Sequence, residues 1–464
     1  MNIVPDIFED GGIAGFGERF RRRETTAEAA LDACLSRIDA LDSALGAFEH
    51  VEREAALSTA RAIDALLHAG IDLGPLMGVP VAVKDLIVVE GMPTACGSLI
   101  DVADLLSPEG EYIRSLRRSG AVIFGKTRTV EFATGNTGLN LNCGTPRNPW
   151  DARSFRLPSG SSSGSAVAMA AGLCGFAVGT DTGGSMRGPA SFCGIFGMRP
   201  SPGLWPTSGM FDMSSTLDTI GPMTRTAADA AIVFTALTQT AVPKLKDLRG
   251  VVLGRPADVF FDGLDDAVAR CMELTLERIR DAGATIVEII VSEAAECDDL
   301  YNTISRAECI ATFGRSRFET IRHKLNPDVD ARIAPGLAVT SDAYIRALRR
   351  REELRRIAKR RLACLDGWIA PTKKSVAPIC DGDHSKADYE VLAHSCSGPT
   401  RQASVFGLCA ASLPVHQLGA SLPVGLQLIC PAGEDAKMLS IAVAIEDAVG
   451  PVGRPDLSGF AASV

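Results

Sequence analysis

Ser161-Ser162-Ser163-Gly164-Ser165-Ala166-Val167-Ala168-Met169-Ala170-Ala171-Gly172-Leu173-Cys174-Gly175-Phe176-Ala177-Val178 begins like a flexible linker and ends like the inside of a sheet. An isolated Ser/Gly run reads as a tether. Here it feeds Ala166–Ala171, good helix formers closed by Gly172, and then the apolar strand candidate Leu173 to Val178. A tether does not sit inside such a unit, so the serines belong to a folded core. Upstream, Val79 to Val83 and Leu86 to Val89 read as one buried strand interrupted by Lys84 and Asp85. Tyr112 to Arg118 reads as a helix ending at Gly120, and Ala121 to Phe124 as a strand. The alternation predicts a layered α/β fold.

The same reading extends to both ends. Thr25-Thr26-Ala27-Glu28 has capping-box spacing ahead of Leu31, Cys34, Leu35, Ile38 and Leu41 at helical intervals. Val251–Gly254, Asp265–Ala282 and Thr285–Val291 read as strand, helix and strand. Glu296 to Leu365 is mostly helical with a break near Asn326-Pro327, and Thr372 to Thr400 is irregular and polar. Leu422–Ile429 returns to an apolar strand before a last helix. These boundaries predict one domain over 1–464, with a core over 61–240 and a helical and irregular region over 296–400 on the substrate side.

Bulk properties narrow the classes. The 464 residues are 46% hydrophobic and 22% charged, enough to bury a large core. A net charge of −9 with scattered Lys and Arg argues against a nucleic-acid surface. The basic cluster from Arg346 to Arg361 contains Glu352 and Glu353 and reads as a solvated helix face. Thirteen cysteines and six histidines lack metal-site spacing, so the thiols read as reduced and no metal is expected. Met1 to Phe16 is acidic and broken by Pro5, Gly11 and Gly12, unlike a signal peptide, and Ala166 to Gly179 is shorter than the roughly 20 residues of a membrane span. The expected compartment is the cytoplasm, without membrane contact.

Two pattern matches mislead. Gly120-Ala121-Val122-Ile123-Phe124-Gly125-Lys126-Thr127 satisfies the P-loop pattern, but its middle residues are themselves a strand rather than an open loop. Gly160-Ser161-Ser162-Ser163-Gly164 fits a nucleophile elbow centred on Ser162, but no strand precedes it. The stronger constellation is Gly179-Thr180-Asp181-Thr182-Gly183-Gly184-Ser185. Its paired glycines let backbone N–H groups converge beside the Ser185 hydroxyl, as an oxyanion site requires. Lys84, between apolar runs, is costly to bury unless paired with Asp85 or neutral, and a neutral amine is a general base.

Gly78-Val79-Pro80-Val81-Ala82-Val83-Lys84-Asp85, Pro158 to Ala166 and Gly179 to Arg187, in that order, closely resemble the amidase signature family. Asn148-Pro149-Trp150, Phe192-Cys193-Gly194, Leu217-Asp218, Gly221-Pro222-Met223 and Leu422 to Leu428 extend the resemblance over nearly the whole chain. The resemblance implies a mixed β-sheet core flanked by helices and hydrolysis of a carbon–nitrogen amide bond without a cofactor. It implies Ser185 as nucleophile, Lys84 as base and Ser161, after a cis peptide bond, as the bridge between them. It further implies an oxyanion hole from the N–H groups of Thr182, Gly183, Gly184 and Ser185, supported by Ser162, Asp181 and Arg187. Ser159 and Ser163 stand where the family usually has glycine, and Gln402 and Ser404 where it more often has Pro and Asn. Arg401 and Gln402, and more weakly His323, are candidates for substrate contact. The expected partner is a small-molecule amide, with a homodimer an open option. The alternatives are the A subunit of a tRNA-dependent amidotransferase, for which an acidic residue is expected near Ser397, and a non-catalytic scaffold.

Overall fold

Thr26 starts the first long helix, Ala27–Leu45, by accepting a hydrogen bond from Ala29 N at 3.0 Å, one residue later than a capping box on Thr25 predicts. The structure, a computed structural model, describes residues 3–381 and 386–461. Among these, 11 strands form one sheet: β1 (Phe48–Val51), β2 (Pro80–Lys84), β3 (Val122–Thr127), β4 (Phe176–Thr180), β5 (Phe196–Arg199), β6 (Ile220–Thr224), β7 (Val252–Pro256), β8 (Thr285–Ile289), β9 (Gly367–Pro371), β10 (Cys409–Pro414) and β11 (Gly425–Cys430). Their order is β1-β3-β2-β4-β6-β5-β10-β11-β9-β7-β8. β2 pairs in parallel with β3 and β4, and β7 with β8 and β9, whereas the strands from β6 through β11 between these blocks pair antiparallel. The sheet is therefore mixed, as the resemblance implies.

The serine-rich stretch turns directly into the helix Ser163–Ala170, buried from Ser163 to Met169 and packed on β2, β3, β4 and β6. Gly164 lets it approach closely: a Cβ there would stand 2.3 Å from the carbonyl oxygen of Ala47 and 2.6 Å from the amide of Arg128. A second helix, Arg187–Cys193, is buried at every residue and packs on β5, β10 and β11. Both helices follow a catalytic candidate immediately, which fixes those candidates to the core.

Several boundaries differ from expectation. Leu86 to Val89 does not continue the strand: β2 ends at Lys84, and the chain turns there, with Ile87 N donating to Lys84 O at 3.0 Å. The charge that looked like an interruption is a terminus, and Lys84 sits at the carboxyl end of a parallel strand, where α/β sheets place ligands. β4 begins at Phe176 rather than Leu173, because Leu173 N still closes the preceding helix on Ala168 O. The region from Cys297 to Arg361 is helical as expected, with a further break at Gly314 (φ 77°) besides the one at Asn326-Pro327. Arg351, expected on a solvated face, is buried and donates to Thr216 O at 3.3 Å. Within the stretch expected to be irregular, Lys386–Ser395 is a helix; residues 382–385 lie outside the described ones, as do Met1 and Asn2 of the acidic N-terminal stretch. No helix among the described residues is long and apolar enough to cross a membrane.

Candidate active site

β2 and β4 are neighbours and parallel, so their carboxyl ends bring Lys84 and Thr180 side by side. Lys84 is fully buried, and its Nζ lies 2.7 Å from Ser161 Oγ and 2.7 Å from Thr180 Oγ1. Asp85 does not pair with it. Asp85 instead accepts from Lys126 at 2.9 Å, and the Lys126 ammonium also donates to Pro93 O and Thr94 Oγ1. The lysine of the P-loop-like segment is thus spent inside the core, and Lys84 is left without a directly bonded carboxylate. Burial pulls the Lys84 ammonium down to about 7, against the opposing pull of Asp218 and Asp181.

The Gly160–Ser161 peptide bond is cis. Ser161 is buried, its carbonyl held by Val130 N at 3.2 Å and Thr129 Oγ1 at 3.0 Å. Ser159, which replaces a glycine of the family pattern, has φ 63°, the left-handed region that glycine enters without strain; its hydroxyl donates to Asn136 O at 2.9 Å. The second replacement, Ser163, leaves a buried hydroxyl without a partner among the described residues. Ser162 bonds across to β4, donating to Thr180 O at 3.2 Å and accepting from Thr180 N at 3.3 Å, which turns its hydroxyl into the core and removes the elbow reading.

Ser185 is 8% exposed and lines a cleft of about 80 Å³ together with Gly160, Gly183 and Gly184. Ser162 N donates to its carbonyl at 3.1 Å, tying the two serine loops together. No hydrogen bond joins Ser161 Oγ to Ser185 Oγ among the described residues, so the last link of the expected relay is open in this structure. The glycine pair is required by packing as well as by turn geometry. A Cβ on Gly183 would stand 2.6 Å from the Tyr301 ring, and one on Gly184 (φ 127°) 2.2 Å from Thr400 Oγ1. Gly184 N donates to Asp181 Oδ1 at 2.9 Å, which removes it from the expected oxyanion donors. The N–H groups of Thr182, Gly183 and Ser185 have no internal acceptor among the described residues and remain for that task.

Asp181 holds this turn. Arg187 bonds both its oxygens, at 2.9 and 3.0 Å, and Arg199 pairs with it at 3.1 Å, all three side chains being fully buried. Burial alone would raise the Asp181 carboxyl, but the two guanidiniums outweigh it and hold the group below the usual carboxylate range. Arg187 also donates to Gln427, Thr400 O and Ser404, so one residue links the turn to β11 and the Arg401–Val405 helix. Asp218 accepts from Met213 N at 3.0 Å, Ser214 N at 2.9 Å and Thr182 Oγ1, and burial raises its carboxyl to about 7.

Of the substrate-contact candidates, Arg401 lines the cleft, lying 4.5 Å over the Tyr301 ring. Gln402 does not: it is 4% exposed, turned toward Ala294 O, and its Oε1 is buried without a partner among the described residues. A helix starting at Arg401 puts consecutive side chains on different faces, and only the first meets the cleft. His323 lies outside the cleft, in the short turn Arg322–Lys324, where no residue is buried. The sequence reading missed Thr180, Arg199, Tyr301, Arg306, Arg332 and Lys373, and gave Asp218 no role. Thr180 was legible as the residue ending β4; the others come from distant segments with no local motif.

The amidase family model matches residues 29–439. The 2-amino-5-chloromuconic acid deaminase of Comamonas testosteroni is 35% identical, covering 96% of this chain and 98% of its own. The A subunit of the glutamyl-tRNA(Gln) amidotransferase of Nitratidesulfovibrio vulgaris (strain DP4) is 34% identical, with coverages of 96% and 98%. Among solved structures, the peptide amidase of Stenotrophomonas maltophilia superposes with a TM-score of 0.82 at 28% identity, covering 98% of this chain and 100% of its own. The match of fold, of motif order and of nearly full length on both sides has one conclusion: this chain belongs to the amidase signature family.

Proposed function

We propose that the protein hydrolyses the carbon–nitrogen bond of a small polar amide, with Ser185 as nucleophile, Lys84 as base and Ser161 as the proton relay. The observation that carries this is Lys84, buried, bonded to Ser161 Oγ at 2.7 Å, and free of Asp85 because Lys126 occupies it. Ser185 Oγ attacks the carbonyl carbon as its proton passes through Ser161 Oγ to Lys84 Nζ. The oxyanion develops against the N–H groups of Thr182, Gly183 and Ser185. The C–N bond breaks as the relay returns the proton to the nitrogen, and water cleaves the acyl ester, restoring the Ser185 hydroxyl. Ser185 Oγ closes on Ser161 Oγ once substrate fills the cleft, since catalytic hydrogen bonds often tighten only in the complex.

The deaminase relative supports ammonia as the leaving group. The amidotransferase relatives support a second reading, glutamine hydrolysis for a partner protein. Against it, residues 396–400 are Cys-Ser-Gly-Pro-Thr, without the acidic residue expected near Ser397, and no carboxylate lines the cleft among the described residues. Buried thiols such as Cys34, Cys174 and Cys193 support a reducing, cytoplasmic compartment. The test is ammonia release from a panel of small amides, with and without glutamine. Turnover of a non-glutamine amide that vanishes in Ser185→Ala and falls roughly 10²- to 10⁴-fold in Ser161→Ala is expected. Undiminished turnover in Ser185→Ala sinks the nucleophile assignment, and ammonia released only from glutamine with a partner present favours the second reading.

A further inference from the structure

Three guanidinium groups from three separate helices line the same cleft as Ser185: Arg306 on Cys297–Phe313, Arg332 on Pro327–Ile333 and Arg401 at the start of Arg401–Val405. Lys373, just beyond β9, is a fourth cation on its lining, and no Asp or Glu joins them among the described residues. Three of the four have partners. Arg332 pairs with Asp328 at 3.0 Å, Arg401 with Asp298 at 3.3 Å, and Lys373 donates to Cys396 O. Arg306 has none: it is half-buried, and no acceptor among the described residues meets its guanidinium. Burial and the facing charges of Arg401 and Arg332 all disfavour its protonated form, yet a guanidinium keeps its proton in any working buffer. The cleft therefore holds an uncompensated cation among like charges, an arrangement that an entering anion relieves.

We propose that the substrate carries a carboxylate, seated on Arg306 with Arg332 and Arg401 flanking it, which presents the scissile C–N bond to Ser185. The proposal rests on Ser185 being the nucleophile. A guanidinium fork matches the two coplanar oxygens of a carboxylate in a bidentate pair. The cleft that these groups line is small, about 80 Å³, and is also bordered by the Tyr301 ring and Ile333. The grouping is a product of the fold: the arginines are far apart in sequence, and each lies on a helix of the region beyond the first six strands.

The experiment pairs charged and neutral amides of the same chain length: succinamate against butyramide, and glutaramate against pentanamide. The charged member is expected to have a kcat/KM roughly 10- to 100-fold higher, the worth of one charge-assisted hydrogen-bonded pair. In Arg306→Gln the loss on succinamate exceeds the loss on butyramide by at least about tenfold, mainly through KM, and Arg306→Lys recovers part of it. In parallel, glutarate raises the Tm of Ser185→Ala and does so less in the Arg306→Gln, Ser185→Ala double variant. Equal turnover of charged and neutral amides, equal losses on both in Arg306→Gln, or protection by inorganic phosphate matching that by glutarate each overturns the carboxylate site. Glutarate binding through Arg306 with no turnover of any amide leaves the carboxylate site standing and removes the hydrolytic reading instead.

Discussion

At the scale of single residues, Lys84 and Asp218 set the expected pH dependence. Burial brings the Lys84 ammonium down to about 7, and the Asp218 charge works in the opposite direction. A base must be unprotonated, so kcat/KM should rise with pH through an apparent value near 7 that belongs to the Lys84 and Asp218 pair jointly. Asp218→Asn keeps an acceptor for Met213 N and Ser214 N but removes the charge, so the rising limb should move to lower pH; a limb that stays put or moves up refutes the coupling. The same shift has a stability sign. Between about 7 and 10.5 the unfolded chain binds the Lys84 proton and the folded one does not, so stability rises with pH across that window. Lys84→Met removes the Lys84 share of that slope, which urea titrations of both proteins at several pH values measure as a difference, while lowering kcat/KM by roughly 10²- to 10⁴-fold. Ser163 offers an independent probe: Ser163→Ala removes a buried hydroxyl that has no partner among the described residues and should leave stability unchanged or raise it by about 1 kcal/mol in urea titration.

At the scale of elements, the carboxyl ends of β2, β3 and β4 carry the site, and what keeps them in register is partly electrostatic. Lys126 on β3 and Asp85 just after β2 are a fully buried pair at 2.9 Å. Asp85→Asn leaves the Lys126 ammonium buried without its carboxylate and should cost about 3–5 kcal/mol, read as a lower urea midpoint at unchanged m. A cost below about 1 kcal/mol would mean that Pro93 O and Thr94 Oγ1 suffice. Much of this level was readable in advance. The 161–185 stretch announces helix, strand and turn because small helix formers, a closing glycine and paired glycines are local signals. What misled was Lys84-Asp85, since a charged pair within β-branched runs looks the same whether it interrupts a strand or ends one, and only neighbouring β3 and β4 decide where β2 stops.

At the scale of the whole molecule, one sheet draws residues from both ends of the chain into a shared core, and the thiols report on it. Of the thirteen cysteines, Cys364 is exposed, Cys143 is half-buried and the others are buried. A thiol reagent should therefore label Cys364 promptly and Cys143 more slowly, and reach the rest only on unfolding; rapid labelling of more than these two indicates a looser core. The Arg187 guanidinium spans the same distance inside, joining the Asp181 turn to Gln427 on β11. Sequence alone determined the α/β layering and the turn that follows β4, because each is encoded in contiguous residues of unusual composition, and its motifs, through the family resemblance, named Lys84, Ser161 and Ser185 as candidates. Only the tertiary structure decided that Asp85 belongs to Lys126, that Gly184 N is spent on Asp181, that Gln402 faces away and that Arg306, Arg332 and Arg401 line one cleft with Ser185. Those are contacts between distant segments, and no local pattern of residues specifies which distant side chain a buried charge will find.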